Sequence, residues 1–267
     1  MDGTVVQEVI RLEGVSIRSE QYEILRDISL TFPIGRCTIL VGPSGCGKST
    51  LLKAAAGLLI PDRGSVFFDG RNFLRMTERE VRSFRKRNGF VFQDSALWEN
   101  RTIYENLALP LEYHYPEETA GSIREKIAGL LQGTGLLSQT QLRPAQLSSG
   151  EKKIVSFMRA VVTEPQLLFM DEPTLSVDKQ STGLLYEMIR RFKRQTQTLI
   201  VVTHDPDLIS WLADFLVVMD QGRVIESGPF DTVKNSTNPV VRSILSSVLA
   251  EAASYDTDIL GLLNEER

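Results

Sequence analysis

Residues 42–49 have the composition and spacing of a phosphate-binding loop placed between a strand and a helix. Glycines let consecutive backbone N–H groups turn toward phosphate oxygens, and the N-terminus of the following helix adds partial positive charge. In this pattern Lys48 reaches the β- and γ-phosphates of a nucleotide such as ATP, and Ser49 offers its hydroxyl oxygen to Mg²⁺. The residues predicted to contact the nucleotide here are Gly42, Pro43, Ser44, Gly45, Cys46, Gly47, Lys48, Ser49 and Thr50.

A pair of acids follows the apolar run from Leu167 to Met170. Ligands of parallel sheets bind at the carboxyl ends of the strands, so Asp171 and Glu172 are expected near the phosphates. One acid can hold Mg²⁺ while the other, with no metal to neutralise it, orients and polarises a water molecule toward the γ-phosphate. We therefore assign Asp171 to the metal and Glu172 to catalysis.

A third motif, Leu147-Ser148-Ser149-Gly150-Glu151, lies upstream of the two acids and begins a helical pattern. It resembles the signature motif of ABC ATPases, and the other landmarks of that family are present in the family's order. Gln93 matches the Q-loop, Ser176-Val177-Asp178 is similar to the D-loop, and His204 is similar to the H-switch. The resemblance covers residues 8–235.

The resemblance implies that two copies of the chain stack head to tail. Each ATP would then lie between the phosphate-binding loop of one copy and the signature motif of the other. Ser148, Ser149 and Gly150 would contact the partner's nucleotide, because a helix N-terminus attracts an anion. Asp178 also belongs to the implied nucleotide site.

Two further roles are implied by the same resemblance. His204 would contact the γ-phosphate as part of the catalytic set. Gln93 would sense nucleotide and Mg²⁺ and link them to the segment that follows it. Tyr22 is the nearest candidate for the aromatic residue that stacks on adenine, which the family usually places close to Ser19.

The signature motif departs from the family pattern at two positions. Ser149 stands where the family usually has glycine, and Glu151 stands where it often has glutamine. We expect Ser149 to be tolerated with its side chain turned away from the phosphate.

A layered α/β domain is needed to bring these groups together. Short apolar runs rich in β-branched residues predict strands buried on both faces, as in a parallel sheet flanked by helices. Those runs are Thr38–Val41, Gly89–Phe92, Leu167–Met170 and Leu199–Thr203, with helical patterns such as Ser49–Leu59 and Thr182–Gln195 between them. The predicted fold is an α/β ABC ATPase core, a P-loop NTPase with a mostly parallel sheet.

Other patterns flank this core. Alternation over Val5–Glu13 and Ile24–Phe32 predicts an N-terminal antiparallel β-subdomain. A helical insertion is expected over about residues 94–163, and a hairpin over 215–227. The predicted ATPase domain covers residues 1–235. Residues 236–267 are expected to form a C-terminal helical tail with an apolar stripe from Val241 onward.

Composition limits the function classes. The chain has 267 residues and a net charge of −4, which disfavours a nucleic-acid-binding protein that neutralises phosphates. Its two cysteines, Cys37 and Cys46, indicate a reducing compartment rather than a disulfide framework. Because the sequence has neither a signal peptide nor an apolar run of ~20 residues, we expect a cytosolic chain whose membrane role depends on a partner.

A transporter ATPase is favoured, since the sequence has no long coiled-coil insertion or basic arm. An integral-membrane permease is expected to dock near Gln93–Leu111, where Leu97 and Trp98 are apolar. This segment, with Trp98 and with His114 beyond it, is similar to that of ATPases from Mla/Mce-type phospholipid transporters. The resemblance implies phospholipid transport at the cytoplasmic face of the bacterial inner membrane, with a lipid-binding Mce-type protein and a small regulatory subunit as partners.

Two alternatives remain open at this point. An ABC importer for a polar solute such as an amino acid shares part of the Gln93–Leu111 pattern. A soluble phosphotransferase could use the same loop to donate phosphate to a small molecule. In the lipid-transport family the C-terminal extension reaches the second ATPase, so we expect loss of residues 254–267 to weaken dimerisation or activity.

Overall fold

The computed structural model describes residues 8–20, 22–195 and 197–248. The described residues fold as two units, the first lying within residues 1–74 and 201–267 and the second within residues 75–200. The chain therefore leaves the first unit once and returns to it.

The N-terminal part of the first unit contains an antiparallel sheet. Its elements are β1 (Glu8–Arg18), β2 (Glu23–Pro33), β3 (Cys37–Val41), α1 (Lys48–Ala55), β4 (Arg63–Phe68) and β5 (Arg71–Asn72). The sheet has the order β2-β1-β4-β5, so the predicted β-subdomain is confirmed. Strand β1 continues past the predicted end at Glu13, because a register shift after Leu12 lets the ladder extend through Val15.

Helix α1 is shorter than the sequence pattern predicts. The predicted end was Leu59, but Gly57 adopts a left-handed φ of +67° and stops the helix. Its N–H donates to the carbonyl of Ala54, and the N–H of Leu58 donates to that of Lys53. Both bonds satisfy carbonyl groups at the helix C-terminus.

The second unit holds the helical insertion together with buried strands. Its elements are α2 (Glu78–Lys86), β6 (Asn88–Val91), α3 (Ile103–His114), α4 (Ala120–Leu131), α5 (Ser149–Val161), β7 (Leu167–Asp171), α6 (Lys179–Lys193) and β8 (Thr198–Val202), the last of which crosses the boundary to the first unit. Strands β6 and β7 are parallel, with Asn88 opposite Leu167 and Val91 opposite Met170. Every residue of β3, β7 and β8 is buried, as continuous apolar runs predict.

Helix α3 contains Pro110 in its interior. Proline removes the hydrogen bond to the carbonyl four residues earlier and usually bends or ends a helix. The helix still runs to His114, since its apolar side is anchored by the buried residues Leu107 and Leu111.

The chain returns to the first unit after β8. The remaining elements are α7 (Pro206–Leu212), β9 (Phe215–Asp220), β10 (Arg223–Pro229), α8 (Phe230–Lys234) and a helix, α9, over residues 239–248. Strand β9 pairs in parallel with β3, and β10 pairs antiparallel with β9 through the predicted tight turn. Gln221 and Gly222 both have positive φ in this turn, the conformation that two-residue hairpins require.

Helix α9 buries Val241, Ile244 and Val248. The apolar stripe predicted for the tail therefore packs within the chain as far as residue 248. Its later members, and the segment 254–267 expected to affect dimerisation, lie outside the described residues. Among residues 8–20, 22–195 and 197–248, no helix combines the length and apolar character needed to cross a membrane.

Candidate functional site

The phosphate-binding loop connects β3 to α1 in the first unit, and two of its glycines are required by packing. Gly42 has φ +155°, and a Cβ there would lie 2.2 Å from the carbonyl oxygen of Met219 in β9. Gly47 has φ +104°, and its Cβ would lie 2.9 Å from Leu25 Cδ2 in β2. Gly45 differs, because no atom of the described residues lies within 4 Å of its Cβ position. The loop is thus pressed against two strands at its ends and open at its middle.

Lys48, the first residue of α1, brings positive charge to this loop. Its Nζ donates to the carbonyl oxygens of Gly42 at 2.7 Å and of Pro43 at 2.9 Å. The residue is buried, with 6% of its surface exposed. A buried cation beside a helix N-terminus, with an open stretch of backbone at Gly45, is an anion site by charge and by shape. These residues fit the phosphate groups of a nucleotide.

The other loop residues differ in exposure. Ser44 is exposed, whereas Ser49 and Thr50 are half-buried in the first turn of α1. Cys46 is buried, and its carbonyl accepts the N–H of Gly222 at 3.0 Å. Burial raises the pKa of the Cys46 thiol, which keeps it protonated. The Cys46 side chain is therefore packed inside the loop with a neutral thiol, and contact of Cys46 with the nucleotide stays a prediction.

Two further predicted site residues lie in the first unit. Tyr22 is 64% exposed in the turn between β1 and β2. This turn is next to the end of the phosphate-binding loop, since the Ile24 carbonyl oxygen would lie 3.0 Å from a Cβ on Gly47. Stacking of Tyr22 on adenine stays a prediction. His204 is half-buried between β8 and α7.

In the second unit, the acid pair lies at the end of β7. Asp171 and Glu172 are 2% and 9% exposed, respectively. Glu172 has φ +46°, a left-handed conformation that is costly for a residue other than glycine and often occurs at functional sites. The parallel register that pairs Val91 with Met170, continued past the strand ends, brings the exposed Gln93 to the same edge as Glu172.

The signature motif forms the N-terminus of α5. Ser148 and Glu151 make a capping box, in which the Glu151 N–H donates to Ser148 Oγ at 3.2 Å. The Ser148 N–H donates to Glu151 Oε2 at 2.8 Å, and the Ser148 hydroxyl donates to the same oxygen at 2.9 Å. A carboxylate therefore lies at this helix N-terminus. Ser149 is exposed, which agrees with its expected tolerance but leaves its effect on phosphate binding a prediction.

Gly150 brings the signature motif next to the D-loop. A Cβ at Gly150 would lie 2.3 Å from Ser181 Oγ and 2.5 Å from Asp178 Oδ2. Asp178 is the N-cap of α6 and accepts the Ser181 N–H at 2.9 Å. That backbone hydrogen bond lowers the pKa of the Asp178 carboxyl. Both predicted nucleotide-contacting segments thus meet within one unit.

Lys153 joins these segments, although the sequence motifs did not single it out. Its buried ammonium donates to the carbonyl oxygens of Glu172 at 2.8 Å and of Phe92 at 3.4 Å. Burial lowers the pKa of Lys153 to about 8, against the opposing effect of the carboxylates of Glu172, Asp171 and Asp94. The sequence does contain a signal for Lys153, since it places a lysine on the apolar side of a helical pattern. Lysine is rarely fully buried without partners, so such a position predicts a buried ammonium with specific partners.

The loop after Gln93 is held from inside by polar side chains. Asn106 is fully buried, and its Oδ1 accepts the Trp98 N–H at 2.9 Å while its Nδ2 donates to the Trp98 carbonyl at 3.2 Å. Arg159 of α5 donates to the carbonyl of Ala96 at 2.8 Å. Trp98 itself is 55% exposed. The loop is therefore a rigidly supported segment that carries an exposed aromatic ring.

Oxygen ligands for Mg²⁺ are available at the predicted positions. Over the described ranges of the chain, no group of three or more His, Cys, Asp or Glu side chains is arranged to hold a metal ion. Mg²⁺ does not require such a group, because it commonly binds through one or two carboxylates and the substrate's phosphates. The hydroxyl of Ser49, the carboxylate of Asp171 and the amide oxygen of Gln93 are hard ligands of that kind, and their metal roles stay predictions.

Comparison with known proteins decides the family. The family model described as ABC transporter matches residues 25–175. The chain belongs to the ABC transporter family. This ABC ATPase is 33% identical over 228 residues to the methionine import ATP-binding protein MetN of Carboxydothermus hydrogenoformans, covering 84% of this chain and 67% of that protein. It is 34% identical over 253 residues to MetN 1 of Rhodopseudomonas palustris, covering 94% and 67%.

Solved structures agree with this membership. A dimeric bacterial ABC transporter cassette, MJ0796, matches with a TM-score of 0.76 at 26% identity, over 83% of this chain and 98% of that one. A dimeric post-hydrolysis state of the same cassette, bound to ADP and Pi, matches with a TM-score of 0.75 at 25% identity, over the same shares. The predicted ABC ATPase fold is confirmed, and the chain is an enzyme whose ATP hydrolysis is coupled to transport.

The expected phospholipid substrate needs correction. The relatives above are named as methionine importers, so the polar-solute alternative fits better than the similarity to Mla/Mce-type ATPases around Trp98. The expected Mce-type partner has no support either. An aromatic residue and a short run of matching positions are weaker evidence than 34% identity over 94% of the chain. The soluble phosphotransferase alternative is left without support by the family membership.

Proposed function

We propose that this chain is the ATPase subunit of an ABC importer for a small polar solute, with amino acids as the first class to test. The similarity over 94% of the chain to a methionine import ATPase carries this proposal. The anion-binding loop around Lys48 and the buried acids Asp171 and Glu172 supply the chemistry that drives the transport.

The phosphates of ATP are bound mainly by the first unit. Backbone N–H groups of the loop and the ammonium of Lys48 contact the β- and γ-phosphate oxygens, and His204 contacts the γ-phosphate. When bound, Mg²⁺ neutralises charge on the β- and γ-phosphates, with Ser49, Asp171 and Gln93 as its protein ligands. Tyr22 stacks on the adenine ring.

Glu172 acts on the attacking water. Its carboxylate orients the water molecule in line with the γ-phosphorus and accepts a proton as the new P–O bond forms. The bond between the γ-phosphorus and the bridging oxygen breaks, and ADP and phosphate are released. Burial of Glu172 removes competing bulk water, which strengthens its electrostatic effect on the reacting water.

The ATP site is completed by a second copy of the chain. Ser148 and Ser149 are exposed at the N-terminus of α5, and Gly150 and Asp178 are packed directly beside them. A helix N-terminus with exposed hydroxyl groups favours an anion, and the γ-phosphate on the partner copy supplies one. The dimeric state of MJ0796, bound to ADP and Pi, supports this arrangement.

An integral-membrane permease docks on the segment Gln93–Leu111. The exposed ring of Trp98 and the internal support from Asn106 make this loop a rigid apolar contact. The chain then works at the cytoplasmic face of the bacterial inner membrane, bound there through the permease.

The test is to purify the chain with its co-expressed permease and to measure ATP hydrolysis in liposomes. We compare a panel of amino acids with added phospholipids, and each amino acid is supplied with the solute-binding protein that co-purifies. The variant Glu172→Gln is the inactive control. We expect at least one amino acid to stimulate hydrolysis and to accumulate inside the vesicles. Stimulation by phospholipid alone, with no amino acid transported, would reject the importer proposal while leaving the ATPase activity intact.

A further inference from the structure

Lys153 lies on the second turn of α5 and is 4% exposed. It shares its side of the helix with buried apolar residues such as Ile154 and Phe157. A lysine in such surroundings is rare, because its ammonium must be paired or hydrogen-bonded to offset lost hydration. Its partners therefore indicate why a lysine is present.

Lys153 donates to main-chain carbonyls of two of the proposed catalytic segments. Nζ donates to the Glu172 carbonyl at 2.8 Å and to the Phe92 carbonyl at 3.4 Å. Phe92 directly precedes Gln93 and therefore begins the Q-loop. One ammonium thus connects the signature helix, the end of β7 and the start of the Q-loop, all within the second unit.

The Glu172 backbone is the part that needs support. Its φ of +46° is unfavourable for glutamate and persists only when neighbouring groups hold it. The direction of a carboxylate depends on the backbone that carries it, so the hydrogen bond to the carbonyl of Glu172 also restrains where the side chain points. A compact ammonium with three donors can serve two carbonyl groups that lie at an angle to each other.

We propose that Lys153 is a positioning residue for ATP hydrolysis, which holds the main chain of Glu172 at a fixed distance from the start of the Q-loop. This inference rests on the proposed role of Glu172 as the residue that activates water. Lys153 keeps the Glu172 carboxylate aimed at the attacking water, and a shift of Phe92 at the Q-loop is transmitted to Glu172 through the shared ammonium.

The experiment compares variants of the full chain in steady-state hydrolysis of Mg-ATP. Lys153→Met removes the ammonium and keeps much of the side-chain volume, and Lys153→Arg keeps a cationic donor. Lys152→Met is the matched control, because Lys152 lies on the same helix but is only half-buried. Glu172→Gln is measured in parallel, and circular dichroism checks the fold of each variant.

We expect Lys153→Met to lower kcat by about tenfold or more, ~1.4 kcal/mol in the barrier, with the KM for ATP within about twofold of the wild type. Lys153→Arg should recover most of the lost kcat, and Lys152→Met should match the wild type. A purely structural role would instead reduce stability without recovery by arginine. Wild-type kcat in folded Lys153→Met, or equal losses in the Met and Arg variants, would overturn the inference.

Two further outcomes separate the possible failures. Wild-type turnover in Glu172→Gln would reject the proposed role of Glu172 itself, whatever Lys153 does. An inactive Glu172→Gln beside a fully active Lys153→Met would reject only the positioning role. If Lys153→Met does not fold, Lys153→Gln replaces it. A reduced kcat of Lys153→Gln together with a near-normal kcat of Lys153→Arg supports the inference. Equal kcat values of these two variants reject it.

Discussion

At the N-terminus of α5, the carboxylate of Glu151 lies where the partner's γ-phosphate is proposed to bind. It accepts hydrogen bonds from the N–H and the hydroxyl of Ser148, the residue expected to contact that phosphate. Two anions at one helix N-terminus repel each other, whereas glutamine could keep the capping box without charge. We therefore expect the departure from the family pattern at this position to weaken the proposed ATP-bound dimer.

We predict that Glu151→Gln tightens ATP-dependent dimerisation by roughly three- to thirtyfold, since a charge at a helix terminus contributes about 0.3–1 kcal/mol and the substitution acts at both sites of the proposed dimer. The dimer dissociation constant with ATP, measured by analytical ultracentrifugation in a hydrolysis-deficient background, checks this. Glu151→Ala is the control, because it removes both the charge and the cap. Weaker dimerisation of Glu151→Gln would contradict the repulsion.

The buried ammonium of Lys153 also makes a prediction about pH. Its pKa is lowered to about 8 in the folded chain from 10.5, so between these values the unfolded chain binds more protons. Lys153 therefore makes the free energy of unfolding rise with pH between about 8 and 10.5. Below about pH 8 the buried side chain is charged, and the full cost of burying that charge lowers the stability of the folded chain. We expect wild type to gain stability relative to Lys153→Met between pH 7.5 and pH 9.5 in urea unfolding. A constant difference between the two proteins would contradict the lowered pKa.

At the scale of elements, the contact between α5 and the start of α6 depends on Gly150. A Cβ would lie 2.3 Å from Ser181 Oγ, so Gly150→Ala must push the two helices apart. We predict a stability loss of ~1–3 kcal/mol from overpacking, together with reduced ATP turnover.

Gly183, which lies in α6, provides the matched control for Gly150. In the part of the chain that the structure describes, no atom lies within 4 Å of the Cβ position of Gly183. Gly183→Ala should therefore stabilise the chain by ~0.5–1 kcal/mol, as expected for glycine in a helix interior. Thermal unfolding and ATP hydrolysis of both variants check the pair. Equal effects at the two positions would mean that the close contact at Gly150 does not cause the loss of stability.

The buried amide of Asn106 supports the loop that carries Trp98, together with Arg159. Asn106→Ala leaves the N–H of Trp98 without its partner, whereas the Trp98 carbonyl keeps its hydrogen bond from the N–H of Arg101. We expect a cost of ~1–3 kcal/mol for a buried donor that stays unpaired. We predict that ATP hydrolysis by the isolated subunit changes little, whereas its stimulation by the permease is lost. Trp98→Ala tests the same contact without disturbing the loop. Normal stimulation in both variants would place the permease elsewhere.

Patterns in the sequence predicted the strands and motifs more reliably than the contacts between them. Continuous apolar runs identified β3, β7 and β8, because a strand buried on both faces consists mostly of apolar residues. Helix ends were less accurate, since the left-handed turn at Gly57 depends on a local conformation that periodicity does not report. Lys153 and Asn106 were missed because their roles depend on carbonyl groups brought close by the fold, and no spacing rule describes such partners.

For the whole molecule, the proposed dimer predicts a trapped state. Glu172→Gln keeps the shape of the side chain but removes the group that accepts the proton from water. We expect this variant to bind ATP, to run as a dimer in size-exclusion chromatography with Mg-ATP, and to hydrolyse ATP at least about a hundredfold more slowly, at the lower end of the usual contribution of a general base. Ser148→Ala in the same background should weaken the dimer, and a monomer in both cases would contradict the composite site.

The first unit is made of two separate stretches of chain, and this has a consequence for synthesis on the ribosome. The N–H of Cys37 at the start of β3 donates to the carboxylate of Asp214, 177 positions later, and β3 pairs with β9. At ~5–20 residues per second, β3 must wait roughly 9–35 s for this partner. All of residues 75–200 are made in that interval, so the unit with the acids and signature helix can fold first. Strand β9, which packs against Gly42, is made after that unit. We therefore expect a nascent chain to bind ATP only after nearly all of its site has been made.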